Sequence, residues 1–216
     1  MRSKQLLKPQ PARHSSEETR NRLVEAALQT LTQRGFAGAT ARAIAGTAKL
    51  NQALVFYHFG SVDRLLLAAL DKTSQDRLGR YRAALNPITR LPEMIDVAGR
   101  LYKEDVLSGH VTAVQEMIAG ASSIPALRKE VLVRMEPWVA FAREVMTRVL
   151  KGTVIEKLVP VEDLAFGAVA LYFGIETITN LSGDRGRADT LFDAGRRLAP
   201  VGDRLLRSAT WLRHFA

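Results

Sequence analysis

The 216-residue sequence contains no cysteine, so it can form neither a disulfide nor a thiolate metal site, and it offers no cysteine nucleophile. It also lacks a run of about 20 apolar residues, the length that a membrane-spanning helix needs. Its longest nearly uninterrupted apolar stretch, Leu164 to Ile175, ends at Glu176. The cations near the N-terminus are not followed by the apolar stretch of a secretory signal. We therefore expect a cytoplasmic protein with no membrane span.

Sequence motifs typical of catalysis are also missing. There is no glycine-rich phosphate or dinucleotide loop, no H-E-x-x-H and no G-x-S-x-G. The four histidines, at positions 14, 58, 110 and 214, do not have metal-ligand spacing. We expect no enzyme activity, no bound metal and no cofactor.

The composition is that of a globular chain, with 47% apolar and 25% charged residues, and its length suits one or two domains. The net charge is +9, and its distribution is uneven. Residues 1–60 carry nine basic and three acidic side chains, a net charge of +6. Residues 61–216 carry 22 basic and 19 acidic side chains, a net charge of only +3. Such asymmetry favours contact with a polyanion, either nucleic acid or an anionic membrane surface.

Three short helices are predicted within residues 16–60. Ser16 precedes an acidic pair, and apolar residues then recur at helical spacing up to Gly35. Thr40 is placed to cap a helix over 41–48, and Asn51 a helix over 52–59 that ends at Gly60.

The rest of the chain also has helical periodicity, so the predicted fold class is all-α. Ser61 begins a long connecting helix that ends before Pro87. We expect Pro137 to kink or split its helix, and Pro200 to bend or break the last one. The further predicted helices cover residues 92–107, 110–119, 125–151, 161–181 and 188–214.

Two short helices joined by a tight turn in a basic region are typical of a DNA-binding helix-turn-helix. The spacing alone also fits a three-helix unit that binds nothing. A further alternative is a basic helical module that binds a membrane surface or another protein, without sequence-specific DNA recognition.

The residues themselves resemble a known family. The runs T-R-N-R-L-V-E-A-A-L (19–28), R-G-F (34–36), T-A-R-A-I-A (40–45) and N-Q-A-L-V-F-Y-H-F-G-S-V-D-R-L-L (51–66) are similar to the N-terminal domain of TetR-family transcriptional regulators. The resemblance implies a flexible basic arm (1–15), a three-helix helix-turn-helix DNA-binding domain (16–61), and a larger helical effector-binding and dimerisation domain (62–216).

It further implies a dimer that binds double-stranded DNA at a near-palindromic operator and is released by a small-molecule effector. Arg42 is placed to reach a base edge, or is a solvated helix residue; Gln52 is placed to pair with adenine, or is only a first-turn residue. Leu54 either contacts a thymine methyl or belongs to the domain core. The predicted DNA-binding residues are Thr40, Arg42, Lys49, Asn51, Gln52, Ala53, Leu54, Tyr57 and His58.

Three residues depart from the family pattern. Phe56 replaces a common tyrosine and Val62 a common lysine, which removes a hydroxyl and a cation from the DNA contacts. Lys49 replaces the usual turn glycine. A lysine there would be strained if the turn is left-handed, although it would also restore a cation.

Segment 161–181 is apolar around most of its circumference, so it must be buried, either in a monomeric core or against a partner. The resemblance places it with 188–214 in a homodimer interface. Residues between 92 and 181 supply bulky apolar and polar side chains suited to a ligand site, although each could instead be core. The ligand-binding candidates are Tyr102, His110, Glu116, Met117, Trp138, Phe141 and Tyr172.

Overall fold

The structure, a computed structural model, describes residues 12–108 and 110–208, and the side chains of 15–107 and 111–208. Within these ranges every regular element is an α-helix, which confirms the predicted fold class. The helices are α1 (Ala12–Gly38), α2 (Ala41–Ala48), α3 (Ala53–Phe59), α4 (Val62–Leu85), α5 (Leu91–Ser108), α6 (His110–Ser122), α7 (Pro125–Val149), α8 (Ile155–Leu158), α9 (Val161–Ser182) and α10 (Gly186–Arg207).

The chain divides into two compact units, Met1–Leu70 and Asp71–Ala216, which we call unit 1 and unit 2. The division falls inside α4, later than the predicted boundary between residues 61 and 62. The reason is that the first turns of α4 carry Leu65, Leu66 and Ala69, all of which are buried and belong to unit 1.

Side-chain hydrogen bonds lie at the starts of both short helices of unit 1. The Thr40 hydroxyl accepts a hydrogen bond from the Ala43 amide at 3.2 Å, and α2 has the predicted bounds. The Asn51 side chain accepts one from the Ala53 amide at 2.9 Å, but α3 begins at Ala53, one residue later than predicted, and Gln52 occupies its N-cap position. These bonds satisfy amides that the first turn of a helix leaves without an intrahelical partner.

The first helix differs from its prediction at both ends. It begins at Ala12, so Ser16 lies inside it instead of capping it. The backbone leaves helical geometry at Gly35, as predicted, with φ 69° and ψ 177°, but a further turn carries α1 to Gly38. Most of the predicted arm, residues 1–11, lies outside the described residues.

The prolines in the long helices do not break them. α7 runs unbroken past Pro137 and α10 past Pro200, so the predictions of a split or a break are wrong. Both prolines are exposed, so water can hydrate the backbone carbonyl that each leaves without its amide donor. α10 ends at Arg207, and the rest of its predicted span, 209–214, lies outside the described residues. The short α8 was not predicted.

In unit 2, α7 packs on α6 and α9, and α5 packs on α6 and α10. Its core is a cluster of buried apolar side chains drawn from α4, α5 and α7. The members are Leu85, Val97, Leu101, Phe141, Val145 and Val149.

Beside this core lies a buried polar network that joins α4, α5 and α9. The Arg77 guanidinium donates through Nε to Asp105 Oδ1 at 2.9 Å and through Nη2 to Oδ2. The hydroxyls of Tyr81 and Tyr172 also donate to Asp105 Oδ2. Burial acts to raise the pKa of the Asp105 carboxyl, but the hydrogen bond and charge of Arg77 outweigh it and hold the pKa below its usual value. Asp105 is therefore an ionised acceptor for three donors.

α9 is long and apolar enough, by length and composition, to cross a membrane. The prediction of no membrane span considered only the shorter run from Leu164 to Ile175. Only 17% of the most apolar window of α9 is buried in the single chain. This helix therefore presents an exposed apolar face in the single chain.

Replacing Asp105 by alanine should lower the free energy of unfolding of unit 2 by about 3–5 kcal/mol, because it leaves the buried Arg77 charge without its partner. Denaturant unfolding followed by tryptophan fluorescence measures this, since both tryptophans, at 138 and 211, belong to unit 2. Glu144→Ala removes an exposed carboxylate 3.8 Å from Arg82 and should cost less than about 1 kcal/mol. Equal effects of the two substitutions would contradict a structural role for the network.

Candidate nucleic-acid interface

The turn between α2 and α3 is closed by backbone hydrogen bonds. The Leu50 amide donates to the Ala45 carbonyl at 2.9 Å, and the Lys49 amide to the Gly46 carbonyl at 3.1 Å. This pair of bonds defines a Schellman motif, in which the residue after the helix is left-handed. Lys49 occupies that position with φ 54° and ψ 46°, so the turn is left-handed, the case in which a lysine is strained.

Three contacts hold α2 and α3 against α1. The Arg22 guanidinium donates to the Ala48 carbonyl at 2.8 Å, at the C-terminal end of α2. The hydroxyls of Thr30 and Thr47 are 3.1 Å apart and hydrogen bonded. The Arg20 guanidinium lies 5.1 Å from the ring centre of Phe59, the last residue of α3. These contacts set the orientation of both short helices before any ligand binds.

α3 has a buried side and an exposed side. Val55 and Phe59 are buried in unit 1, whereas the Tyr57 side chain is 77% exposed. Leu54 and His58 are half-buried, so part of each side chain reaches the surface. The other predicted contact residues are exposed: Thr40, Arg42, Lys49, Asn51, Gln52 and Ala53. The structure thus brings all nine predicted residues into two short helices and the turns beside them.

The electrostatics of this surface favour an anion. No aspartate or glutamate occurs between Glu25 and Asp63. Arg42 and Lys49 are exposed, and neither forms an ion pair with another residue in the described part of the chain. The amides in the first turn of α2, beside Thr40, add the partial positive charge of a helix N-terminus. The segment from α2 to α3 therefore contributes two exposed cations and no carboxylate to this surface.

Two exposed residues of this region are absent from the predicted set. Phe56 is 52% exposed. Its position next to Tyr57 on the same short helix could have indicated that it also reaches the surface. Arg64 is exposed in the first turn of α4, and its guanidinium lies about 3.6 Å from where a Cβ on Gly60 would be. Arg64 therefore places a cation at the end of α3, where Val62 lacks one.

Comparisons with known proteins agree with this geometry. Residues 23–69 match the sequence profile of the family described as bacterial regulatory proteins, tetR family. The HTH-type transcriptional regulator BetI of Rhizobium meliloti (strain 1021) is 31% identical over 163 residues, which cover 72% of this chain and 75% of that protein. The chain belongs to the TetR family.

Other relatives extend the comparison. The HTH-type transcriptional repressor Rv3405c of Mycobacterium tuberculosis (strain ATCC 25618 / H37Rv) is 33% identical over 94 residues, 44% of this chain and 50% of that protein. The crystal structure of multidrug binding protein EbrR complexed with imidazole superposes with a TM-score of 0.62 at 25% identity, covering 90% of this chain and 98% of that one. As a TetR-family member, the chain is a DNA-binding transcriptional regulator, and membership favours this over the membrane-surface alternative.

The predicted ligand-binding residues of this TetR-family chain lie in unit 2, and several of them meet at the Arg77–Asp105 network. The Tyr172 hydroxyl is 3.0 Å from Asp105 Oδ2, and the Tyr102 and Tyr172 ring centres are 5.9 Å apart. Trp138 and Phe141 both pack edge-on against Tyr81, with ring centres 5.3 and 6.3 Å from it.

The remaining candidates lie on α6, which packs on α5 and α7. Met117 is fully buried and Glu116 is half-buried. The side chain of His110 lies outside the described residues. A role for these residues in ligand binding stays a prediction.

Replacing Lys49 by glycine should have opposite effects on stability and on DNA binding. Glycine adopts the left-handed conformation without strain, so α2 and α3 should gain about 0.5–1 kcal/mol, measured by native-state amide hydrogen exchange. Loss of a phosphate contact should weaken DNA binding and reduce the salt dependence of log K by about one per protomer. Lys49→Arg should keep the salt dependence; an unchanged slope in Lys49→Gly would show that Lys49 does not contact phosphate.

Proposed function

We propose that this chain is a ligand-responsive transcriptional repressor that binds a near-palindromic operator as a homodimer and leaves it when a small molecule binds unit 2. The observation that carries the proposal is the exposed, acid-free surface of α2, the turn and α3. An α-helix fits the DNA major groove, where each base pair presents a distinct set of donors and acceptors. The relative from Mycobacterium tuberculosis is named a transcriptional repressor, which supports repression over activation.

Specific roles follow from the side chains that this surface presents. Arg42 can donate two hydrogen bonds to guanine, and Gln52 can pair with adenine. Thr40, Lys49 and Tyr57 supply hydroxyl or ammonium donors suited to phosphate oxygens. Asn51, which caps α3, and half-buried His58 contribute at its two ends, whereas Ala53 and the exposed part of Leu54 can pack on thymine methyls. The polar contacts position α3, and the base contacts select the sequence.

A second copy of the chain is proposed to cover the apolar faces of α9 and α10. On α9, Leu171, Ile178 and Leu181 recur on one side of the helix and are 59%, 66% and 84% exposed. Gly167 and Gly174 share that side, and a Cβ added at either would meet no atom within 4 Å. The exposed apolar residues of α10 are Leu191, Leu198, Val201 and Leu205. Two such faces suit a helical bundle between identical chains.

The effector is proposed to bind near the Arg77–Asp105 network. The Tyr102 hydroxyl and Glu176 Oε1 belong to buried side chains that interact with each other, and neither atom meets full hydrogen-bond geometry with a group in the described chain. Burial raises the pKa of Tyr102 to about 12 and raises the pKa of Glu176 above its usual value. Buried polar groups without partners cost about 1–3 kcal/mol each, and a polar ligand that pairs with them would recover this. EbrR, solved with imidazole, supports a small-molecule ligand in a protein of this fold.

Coupling between the two functions is proposed to run through α4, a continuous helix whose residues belong to both units. A ligand weakens operator binding only if it binds better to a conformation that binds DNA poorly, and the coupling is reciprocal. In this family member, Arg77 and Tyr81 place α4 in direct contact with the proposed effector site.

The operator proposal predicts selective binding to an inverted repeat. At about 150 mM salt the protein should bind a duplex with half-sites about 34–36 Å apart far more tightly than a scrambled duplex. Arg42→Ala should relax the preference at one symmetric base pair and cost about 1–3 kcal/mol per half-site. Binding selections on randomised duplexes measure both, with Arg34→Ala as the matched control. Equal loss on every sequence would make Arg42 a phosphate contact.

The dimer proposal predicts that Ile178→Glu produces monomers, since it buries a charge in the interface. Light scattering should give about twice the chain mass of 23.8 kDa for the unmodified protein and the single mass for the variant. Leu158→Glu, at an exposed leucine of α8, should remain dimeric. Circular dichroism should show retained helicity, and an Ile178→Glu protein of unchanged mass would contradict the proposed interface.

A further inference from the structure

Unit 2 contains a surface cleft of about 600 Å³ that the proposed function does not use. Its walls come from the loop between α4 and α5, the C-terminal end of α7 and the C-terminal end of α10. The lining residues are Thr89, Arg90, Arg148, Lys151 and Arg207. Four of the five are cationic, and none is acidic.

The three guanidiniums are held in place by the fold. Arg148 donates to the carbonyls of Leu85 and Ile88 at 2.9 and 3.0 Å. Arg207 donates to the carbonyls of Val149, Lys151 and Thr89. These bonds hold the arginine side chains in place before a ligand binds. Binding would therefore cost less side-chain conformational entropy.

One buried carboxylate supports the remaining arginine. Arg90 donates through Nη2 to Asp203 Oδ2 at 2.6 Å, and Arg207 donates through Nε to Asp203 Oδ1 at 3.0 Å. Burial acts to raise the pKa of Asp203, but these two arginines outweigh it and hold the pKa below its usual value. Asp203 is therefore ionised and offsets one of the four positive charges.

The partial negative charges at helix C-termini offset part of the remaining positive charge of the cleft. The C-terminal ends of α4, α7 and α10, at Leu85, Val149 and Arg207, each carry about −0.5 of a charge, which together offset less than half of the four cationic charges. Glu93 and Glu156 lie on adjoining turns, where Glu156 accepts from the Gly152 amide, and neither lines the cleft. Within the cleft wall the positive charge remains in excess.

Donor groups also remain available. The Nη1 atoms of Arg90 and Arg148, and the ammonium of exposed Lys151, make no hydrogen bond to another group in residues 15–107 and 111–208. Fixed guanidinium donors beside a lysine suit the oxygens of a carboxylate or phosphate group.

We propose that this cleft is a binding site for a small oxyanion, a molecule carrying a carboxylate or phosphate group, held by Arg90, Arg148 and Lys151. An anion there relieves the repulsion among the cations and links the ends of α4, α7 and α10. The site is separate from the DNA-binding surface of the proposed function and does not depend on it.

Calorimetry and thermal unfolding of the full chain test the proposal, with orthophosphate and succinate as probes and sodium chloride holding the ionic strength constant. Both probes, or one of them, should bind saturably and raise the melting temperature, because a ligand that binds only the folded state stabilises it. A response to phosphate alone, or to succinate alone, identifies which oxyanion the site takes. Lys151→Glu should weaken this binding at least tenfold, whereas Lys151→Arg should retain it.

Lys157→Glu is the matched control, because it makes the same charge change at an exposed lysine on α8. Its oxyanion binding should equal that of the unmodified protein. Three results would each overturn the proposal: no saturable binding of either probe, equal binding by Lys151→Glu and the unmodified protein, or equal loss in both glutamate variants.

Discussion

The hydrogen bonds that close the turn after α2 determine the direction in which α3 leaves it, and the DNA-binding surface depends on that direction. The Schellman motif at Lys49 ends α2, and the bond from Arg22 to the Ala48 carbonyl fixes that end against α1. Phe59 at the far end of α3 is held by burial and by Arg20. With both ends fixed, the exposed side of α3 can present Gln52, Ala53 and Tyr57 as a rigid set. Rigid positioning matters because a base contact tolerates little displacement.

Unit 2 combines three features with different chemistry. The Arg77–Asp105 network concentrates buried polar groups beside aromatic rings, which suits a ligand site. The exposed apolar residues of α9 and α10, with Gly167 and Gly174 of α9, suit a second chain. The arginines at the ends of α7 and α10 form a cationic cleft around Asp203. Each feature depends on side chains that several helices bring together, so none of them is a continuous sequence motif.

The family resemblance and the helix-turn-helix residues were recognisable from the sequence because they are local. Capping by Thr40 and Asn51, and the left-handed residue at position 49, involve neighbours within a few positions. The start of α1 was misplaced because Ser16 can serve either as a cap or as an ordinary helical residue. The breaks expected at Pro137 and Pro200 were wrong because the effect of a proline depends on whether water can reach the carbonyl that it leaves unpaired.

Sequence alone therefore determined the all-α class, the three N-terminal helices, the cationic character of the first quarter and the set of candidate DNA-binding residues in α2, α3 and their turns. Periodicity, capping and charge are properties of residues close together in the chain. Only the tertiary structure decided that Leu54 is half-buried, that the division between units falls within α4, and that Arg77 meets Asp105. It also decided which four cations converge on one cleft. These outcomes depend on contacts between residues up to 118 positions apart in the sequence. Patterns among neighbouring residues cannot predict which distant residues come into contact.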